Sequence, residues 1–150
     1  VNAAALVPTL VVGHDGHATS DHALAVAADL AGRLGARLEV VHSSTLEEFG
    51  IDPDIDDFED EVVVAAAEAR RHIERALAGV GTPWDYRHSI GDPAKALAEV
   101  AEELDALAIV VGASHRHLLH HALGGGSVTG HLLHGQHRPV LVVPVAGASR

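Results

Sequence analysis

The chain has 150 residues, 47% of them apolar and 21% charged, which suits one globular domain spanning residues 1–150 and excludes a disordered chain. Ten Lys and Arg against 21 Asp and Glu give a formal charge of −11, so no basic stripe is available for nucleic acid or an anionic membrane. There is no cysteine, which excludes disulfides and thiolate metal sites, and no apolar run reaches the ~18–20 residues of a membrane span. Residues 1–12 are apolar but lack a basic leading segment, so no secretory signal is expected and a cytoplasmic protein fits best. With two Phe, one Trp, one Tyr and no Met, the core must be aliphatic.

Leu10-Val11-Val12 predicts a first strand, stopped by Gly13. Residues 20–34 predict a helix, with Ser20 as N-cap, Gly35 as stop, and Leu24, Ala27, Ala28 and Ala31 on one face. Residues 38–42 make the second strand and 43–57 a loop. A second helix over about 59–79 carries Val62, Ala66, Ala69, Ile73 and Leu77 at helical spacing. Residues 84–90 read as a third strand, where Trp84 and Tyr86 alternate with Asp85 and Arg87 and so pack on the sheet. Asp92-Pro93 opens the third helix as an N-cap followed by proline, with Leu97, Val100, Ala101 and Leu104 on its apolar face. Leu107 to Val111 is an almost wholly apolar strand, the pattern of one covered on both faces. A glycine-rich loop, a short helix from Ser127 and the strand Val140–Val143 complete the chain.

Strands alternating with helices predict an α/β fold: a doubly wound, Rossmann-like, five-stranded parallel sheet with helices on both faces, whose crevice lies between the first and fourth strands if the strand order is 3-2-1-4-5. Such sheets bind ligands at the carboxyl ends of the strands, where the strand order reverses. Residues 13–17 and 112–128 then face one another across that crevice. Gly124-Gly125-Gly126-Ser127-Val128 leads into a helix, where free N–H groups, the positive helix end and the Ser127 hydroxyl would attract phosphate. The same residues also fit a plain glycine-rich turn with a serine cap. The two commonest nucleotide motifs are absent: Lys95, the only lysine, is far from the glycines, and Gly13-His14-Asp15-Gly16 is no dinucleotide fingerprint.

In this order and spacing, Val11-Val12-Gly13-His14-Asp15-Gly16, Gly35-Ala36-Arg37-Leu38, Gly91-Asp92-Pro93, Ile109-Val110-Val111-Gly112, Gly126-Ser127-Val128 and Pro139 to Pro144 resemble the universal stress protein family. The resemblance implies a homodimer paired through the last strand. It also implies, in one branch, ATP binding through G-x2-G-x9-G-[ST]. Carried over, Gly112 matches the first glycine and Gly126-Ser127 the closing pair. Asp15 matches the acidic residue near the ribose and a nucleotide-bound Mg²⁺, and Ser43 falls where adenine is met through the backbone. The nucleotide set is therefore Gly13, His14, Asp15, Ser43, Gly112, His115, Gly125, Gly126, Ser127 and Val128. The chain departs from the pattern as G-x2-H-x10-G-S. A β-carbon at His115 hinders a tight turn if positive φ is needed there, while its imidazole offers a donor to phosphate.

The expected function is an adenine-nucleotide-binding, homodimeric stress-response sensor. No catalytic set is evident beyond, at most, slow ATP hydrolysis. The alternative is a nucleotide-free dimerisation or adaptor protein, with a His-rich metal-binding protein third. The third rests on the seven of 13 histidines in 115–137: His117, His120 and His121 share one face if helical, as do His131 and His134 with His137 just beyond. Nine of the 21 acids crowd residues 47–61; Asp52-x-Asp54-x-Asp56 starts like an EF-hand, but Asp57 and Val63 stand where Gly and Glu are required. Val140 to Val143 would be an apolar edge in a monomer, which a second copy would cover.

Overall fold

The computed structural model describes residues 6–45, 57–113 and 128–145. Five strands, β1 (Thr9–His14), β2 (Arg37–Ser44), β3 (Trp84–Ile90), β4 (Ala108–Gly112) and β5 (Val140–Val143), pair in parallel in the order β3-β2-β1-β4-β5. The helices are α1 (Ala18–Leu34), α2 (Phe58–Ala76), α3 (Pro93–Glu103) and α4 (Val128–Gly135).

Alternation along each strand sorts the core into two layers. Leu10 and Val12 of β1 face α1 and α2, where Leu24, Ala27, Ala31, Ile73 and Leu77 meet them with Leu38, Val40 and Val110. Val11 faces α3 and α4, where Leu97, Ala101 and Leu132 pack with Val41, Ile109 and Val111. The apolar β4 is thus covered on both faces. The largest fully buried side chains are all Leu, Ile or Val, and Trp84 and Tyr86 rest half-buried against the first layer.

Local chemistry sets the helix ends. Asp92 caps α3 by accepting from the N–H groups of Ala94 and Lys95 at 2.9 and 3.5 Å, ahead of Pro93 at the first helical position. Gly35 ends α1 in the left-handed conformation, φ 63°. Ser20 is not the N-cap of α1. That position falls to His17, and the Ser20 hydroxyl lies buried in the first turn and donates to the His17 carbonyl at 2.9 Å. Nor does Gly13 stop β1, which pairs with β2 as far as His14 opposite His42. The helix expected to reach residue 79 ends at Ala76, and Leu77 and Gly79 (φ +78°) form the turn after it. Only Ile73 and Leu77 of the stripe from Val62 to Leu77 are buried, so α2 is anchored at its C-terminal end.

Candidate functional site

The chain leaves β1 for β2 on one side and enters β4 on the other, so strand order reverses between β1 and β4. At their carboxyl ends lies a cavity of about 200 Å³, whose lining includes Gly13, His14, Asp15, Ser43, Gly112 and Val128 of the expected set. Thr19, Ser20, Thr45 and Thr129 add hydroxyls, and Val41, Pro93, Leu97 and Val111 an apolar floor. His115, Gly125, Gly126 and Ser127 lie outside the described residues.

Each crevice residue has a local structural reason to be where it is. A β-carbon on Gly13 would stand 3.1 Å from Leu97 Cδ1 and 3.3 Å from Val111 Cγ1, so glycine keeps the floor open. One on Gly112 would stand 2.8 Å from the Thr19 carbonyl oxygen, so β4 and the first turn of α1 approach closely only because this position has no side chain. The exposed Asp15 carboxylate accepts from the His17 N–H at 3.0 Å and holds the entry to α1. Partial desolvation works against its ionisation, but the polar surroundings supplied by Ser20 and His17 prevail and hold its pKa below the usual carboxylate value. Ser43 donates its hydroxyl to the Gly91 carbonyl at 3.1 Å, joining β2 to the turn before α3.

The His14 imidazole points to the other face of the sheet. Its Nε2 lies 2.7 Å from Asp21 Oδ1, and His72 Nε2 of α2 meets the same oxygen at 2.7 Å. Sheet register also sets His14 opposite His42 and His42 opposite His88, with ring centroids 6.4 and 5.5 Å apart; the His72 ring lies 5.3 Å from that of His14. Four imidazoles from four elements thus form a row. Asp21 is held below the usual carboxylate pKa; partial burial opposes this and the two imidazoles outweigh it. This group was not legible in the sequence, because nothing in the spacing of residues 14, 21 and 72 puts them on one face.

His42 Nδ1 is buried without a hydrogen-bond partner among the described residues. Burial, then the neighbouring His88 and His14, lower its pKa from 6.5 to about 4, against a weaker opposing pull from Asp15. An unfolded chain therefore takes up this proton first as pH falls. The stability held by neutral His42 is complete above about pH 6.5 and is lost as pH falls towards 4, at up to about 1.4 kcal/mol per pH unit. Urea unfolding of chelator-treated protein between about pH 7 and pH 5 should show a steeper loss for the natural chain than for His42→Leu. Equal slopes would remove the assignment.

The other histidine groupings do not converge among the described residues. His131, His134 and His137 are exposed; His134 Nδ1 contacts the Gly130 carbonyl at 2.8 Å and His137 lies 3.6 Å from Glu102. His117, His120 and His121 lie outside the described residues, as do the acids from Glu47 to Asp56. Glu59, Asp60 and Glu61 occupy the first turn of α2, where they complement the helix dipole.

A doubly wound parallel sheet with a ligand-sized crevice at its switch point defines the class. The model of the universal stress protein family matches residues 7–144, and the chain belongs to that family. Among solved structures, hypothetical protein MJ0577 superposes with a TM-score of 0.75 at 19% identity, covering 95% of this chain and 99% of that one. A universal stress protein in complex with cAMP gives 0.64 at 25% identity over 93% and 98%. One from Archaeoglobus fulgidus in complex with dAMP gives 0.55 at 23% over 91% and 97%. No curated protein matches the chain. No helix among the described residues is long and apolar enough to cross a membrane.

Proposed function

We propose that this protein binds an adenine nucleotide, ATP or a close relative, in the crevice between β1 and β4, and acts as a homodimeric stress-response sensor. The observation that carries this reading is the cavity itself, at the strand-order reversal and lined by Gly13, Asp15, Ser43, Gly112 and Val128. The residues fit the ligand class. Glycine backbone at Gly13 and Gly112 admits close approach, hydroxyls ring the opening, and the apolar floor suits a base. The neighbour solved with cAMP, which shares the fold over almost its whole length, supports an adenine ligand. When bound, Mg²⁺ would be held through the nucleotide with the Asp15 carboxylate, which is ionised at neutral pH like any aspartate. Self-association is proposed through β5, whose outer edge has no strand beside it among the described residues and whose Leu141 and Val142 are each 38% exposed.

Titration calorimetry with Mg-ATP and with cAMP, using protein freed of retained nucleotide, tests the reading. Micromolar binding is expected, weakened at least about tenfold in Asp15→Ala and in Ser127→Ala. No heat and no thermal shift at millimolar nucleotide would leave the nucleotide-free dimerisation protein as the better reading. Sedimentation of the same preparations as monomers would remove the dimer.

A further inference from the structure

We propose that His14, Asp21 and His72 form a binding site for a divalent transition-metal ion of the zinc type, separate from the nucleotide crevice. Three elements supply the ligands: the end of β1, the first turn of α1 and the C-terminal part of α2. One ligand atom from each lies within 4.8 Å of the others, and this is the only such group among the described residues. Two imidazole nitrogens and a carboxylate oxygen suit Zn²⁺, Ni²⁺ or Cu²⁺, whereas Mg²⁺ and Ca²⁺ prefer oxygen alone. Three protein ligands leave a fourth position open.

Burial grades across the site as an ion would require. The His14 side chain is 1% exposed, while those of Asp21 and His72 are 38% and 37% exposed. The inner ligand is fixed by the sheet, and His14 and His72 both line a cavity of about 480 Å³. Glu68, Arg71 and Arg75 also line it, so one carboxylate and two guanidinium side chains border the space beside the open position. In the metal-free state Asp21 Oδ1 takes both imidazole N–H donors at 2.7 Å, which holds α2 to the β1–α1 corner. A metal ion takes the Nε2 lone pair of each ring, so each proton shifts to Nδ1 of its own imidazole, and the two N···O separations open from 2.7 Å to roughly the 3.3 Å of tetrahedral coordination.

One further contact reports on occupancy. His14 Nδ1 lies 3.3 Å from the Gly16 N–H, which makes it an acceptor when Nε2 carries the proton. Metal at Nε2 moves that proton to Nδ1, and the Gly16 N–H loses its acceptor. The β1–α1 turn that carries Asp15 must then adjust, so the Gly16 amide resonance is a local marker.

The test uses the untagged full chain, stripped with chelator and free of nucleotide. Zn²⁺ is titrated by calorimetry and by NMR on the natural protein, Asp21→Asn and His72→Ala, with His131→Ala and His137→Ala as controls. A site that shifts the Gly16 amide, weakens at least about tenfold in both ligand variants and is unchanged in both controls is the expected result. His72→Ala alters a partly exposed helix position, so it keeps the test open even if Asp21→Asn fails to fold. Zn²⁺ binding that leaves Gly16 unmoved and is equal in His72→Ala, or no Zn²⁺ binding at all, overturns the proposal.

Discussion

Replacing Arg87 by Ala is expected to lower the unfolding free energy by about 2 kcal/mol, because it takes the nearest hydrogen-bonding cation from a buried carboxylate. Glu39 on β2 is only 4% exposed and faces the layer packed by α3. Its Oε1 accepts from Arg87 Nε at 2.6 Å, while the same guanidinium forks onto both oxygens of Glu103 on α3 at 2.9 and 3.1 Å. The Glu103 and Glu39 carboxylates push the guanidinium pKa upward, so the charge on Arg87 is permanent. The two halves of this bridge differ in weight. Glu103 is exposed, so water screens that pairing and its loss costs little. Among the described residues Glu39 keeps only the Arg37 cation, at 4.0 Å, once Arg87 is gone. Urea unfolding should therefore show a large loss for Arg87→Ala and a small one for Glu103→Gln. Arg87→Leu combined with Glu39→Leu should recover most of the stability, since an apolar pair leaves no buried charge. A double variant as destabilised as Arg87→Leu and Glu39→Leu made singly and summed would sink this account.

Gly112→Ala should cost about 1–3 kcal/mol, although it adds a single methyl group. The reason is the identity of the atom it meets. The Thr19 carbonyl oxygen at 2.8 Å and its carbon at 3.1 Å are backbone atoms of α1, which cannot rotate away. The helix must back off from β4, and Thr19 and Gly112 both line the crevice. Gly13→Ala makes the control, because its β-carbon meets Leu97 Cδ1 at 3.1 Å and Val111 Cγ1 at 3.3 Å, ends of side chains that can yield. Its loss should be well under that of Gly112→Ala in the same urea titration. Equal losses would mean that the close approach of α1 to β4 is not what requires a glycine at residue 112.

Much of the fold was legible because its causes are local. Asp92-Pro93 carries its own capping chemistry, Gly35 its own left-handed turn, and the apolar run from Leu107 to Val111 announces a strand covered on both sides. The crevice was legible once the strand order 3-2-1-4-5 was assumed, since that order places the ends of β1 and β4 side by side, and Gly13, Asp15, Ser43, Gly112 and Val128 gather there. Glycine at residue 112 reads in the sequence as a phosphate-loop residue, whereas its tight contact is with α1. That contact depends on how closely a helix packs on a strand 93 positions away from Thr19 (112 − 19), which no local pattern records.

Sequence alone thus determined the α/β class, the element order and the family resemblance, because periodicity, capping and turn chemistry act over a few residues. Tertiary structure decided which polar side chains meet. Parallel register brought His14, His42 and His88 into line across β1, β2 and β3, and the packing of α2 carried His72 to Asp21. It also set Arg87 against the buried Glu39. Thirteen histidines drew the eye to the seven in 115–137, where they are dense in sequence. The described group that could hold a metal lies elsewhere, because ligand geometry requires convergence in space and neighbours in sequence do not supply it.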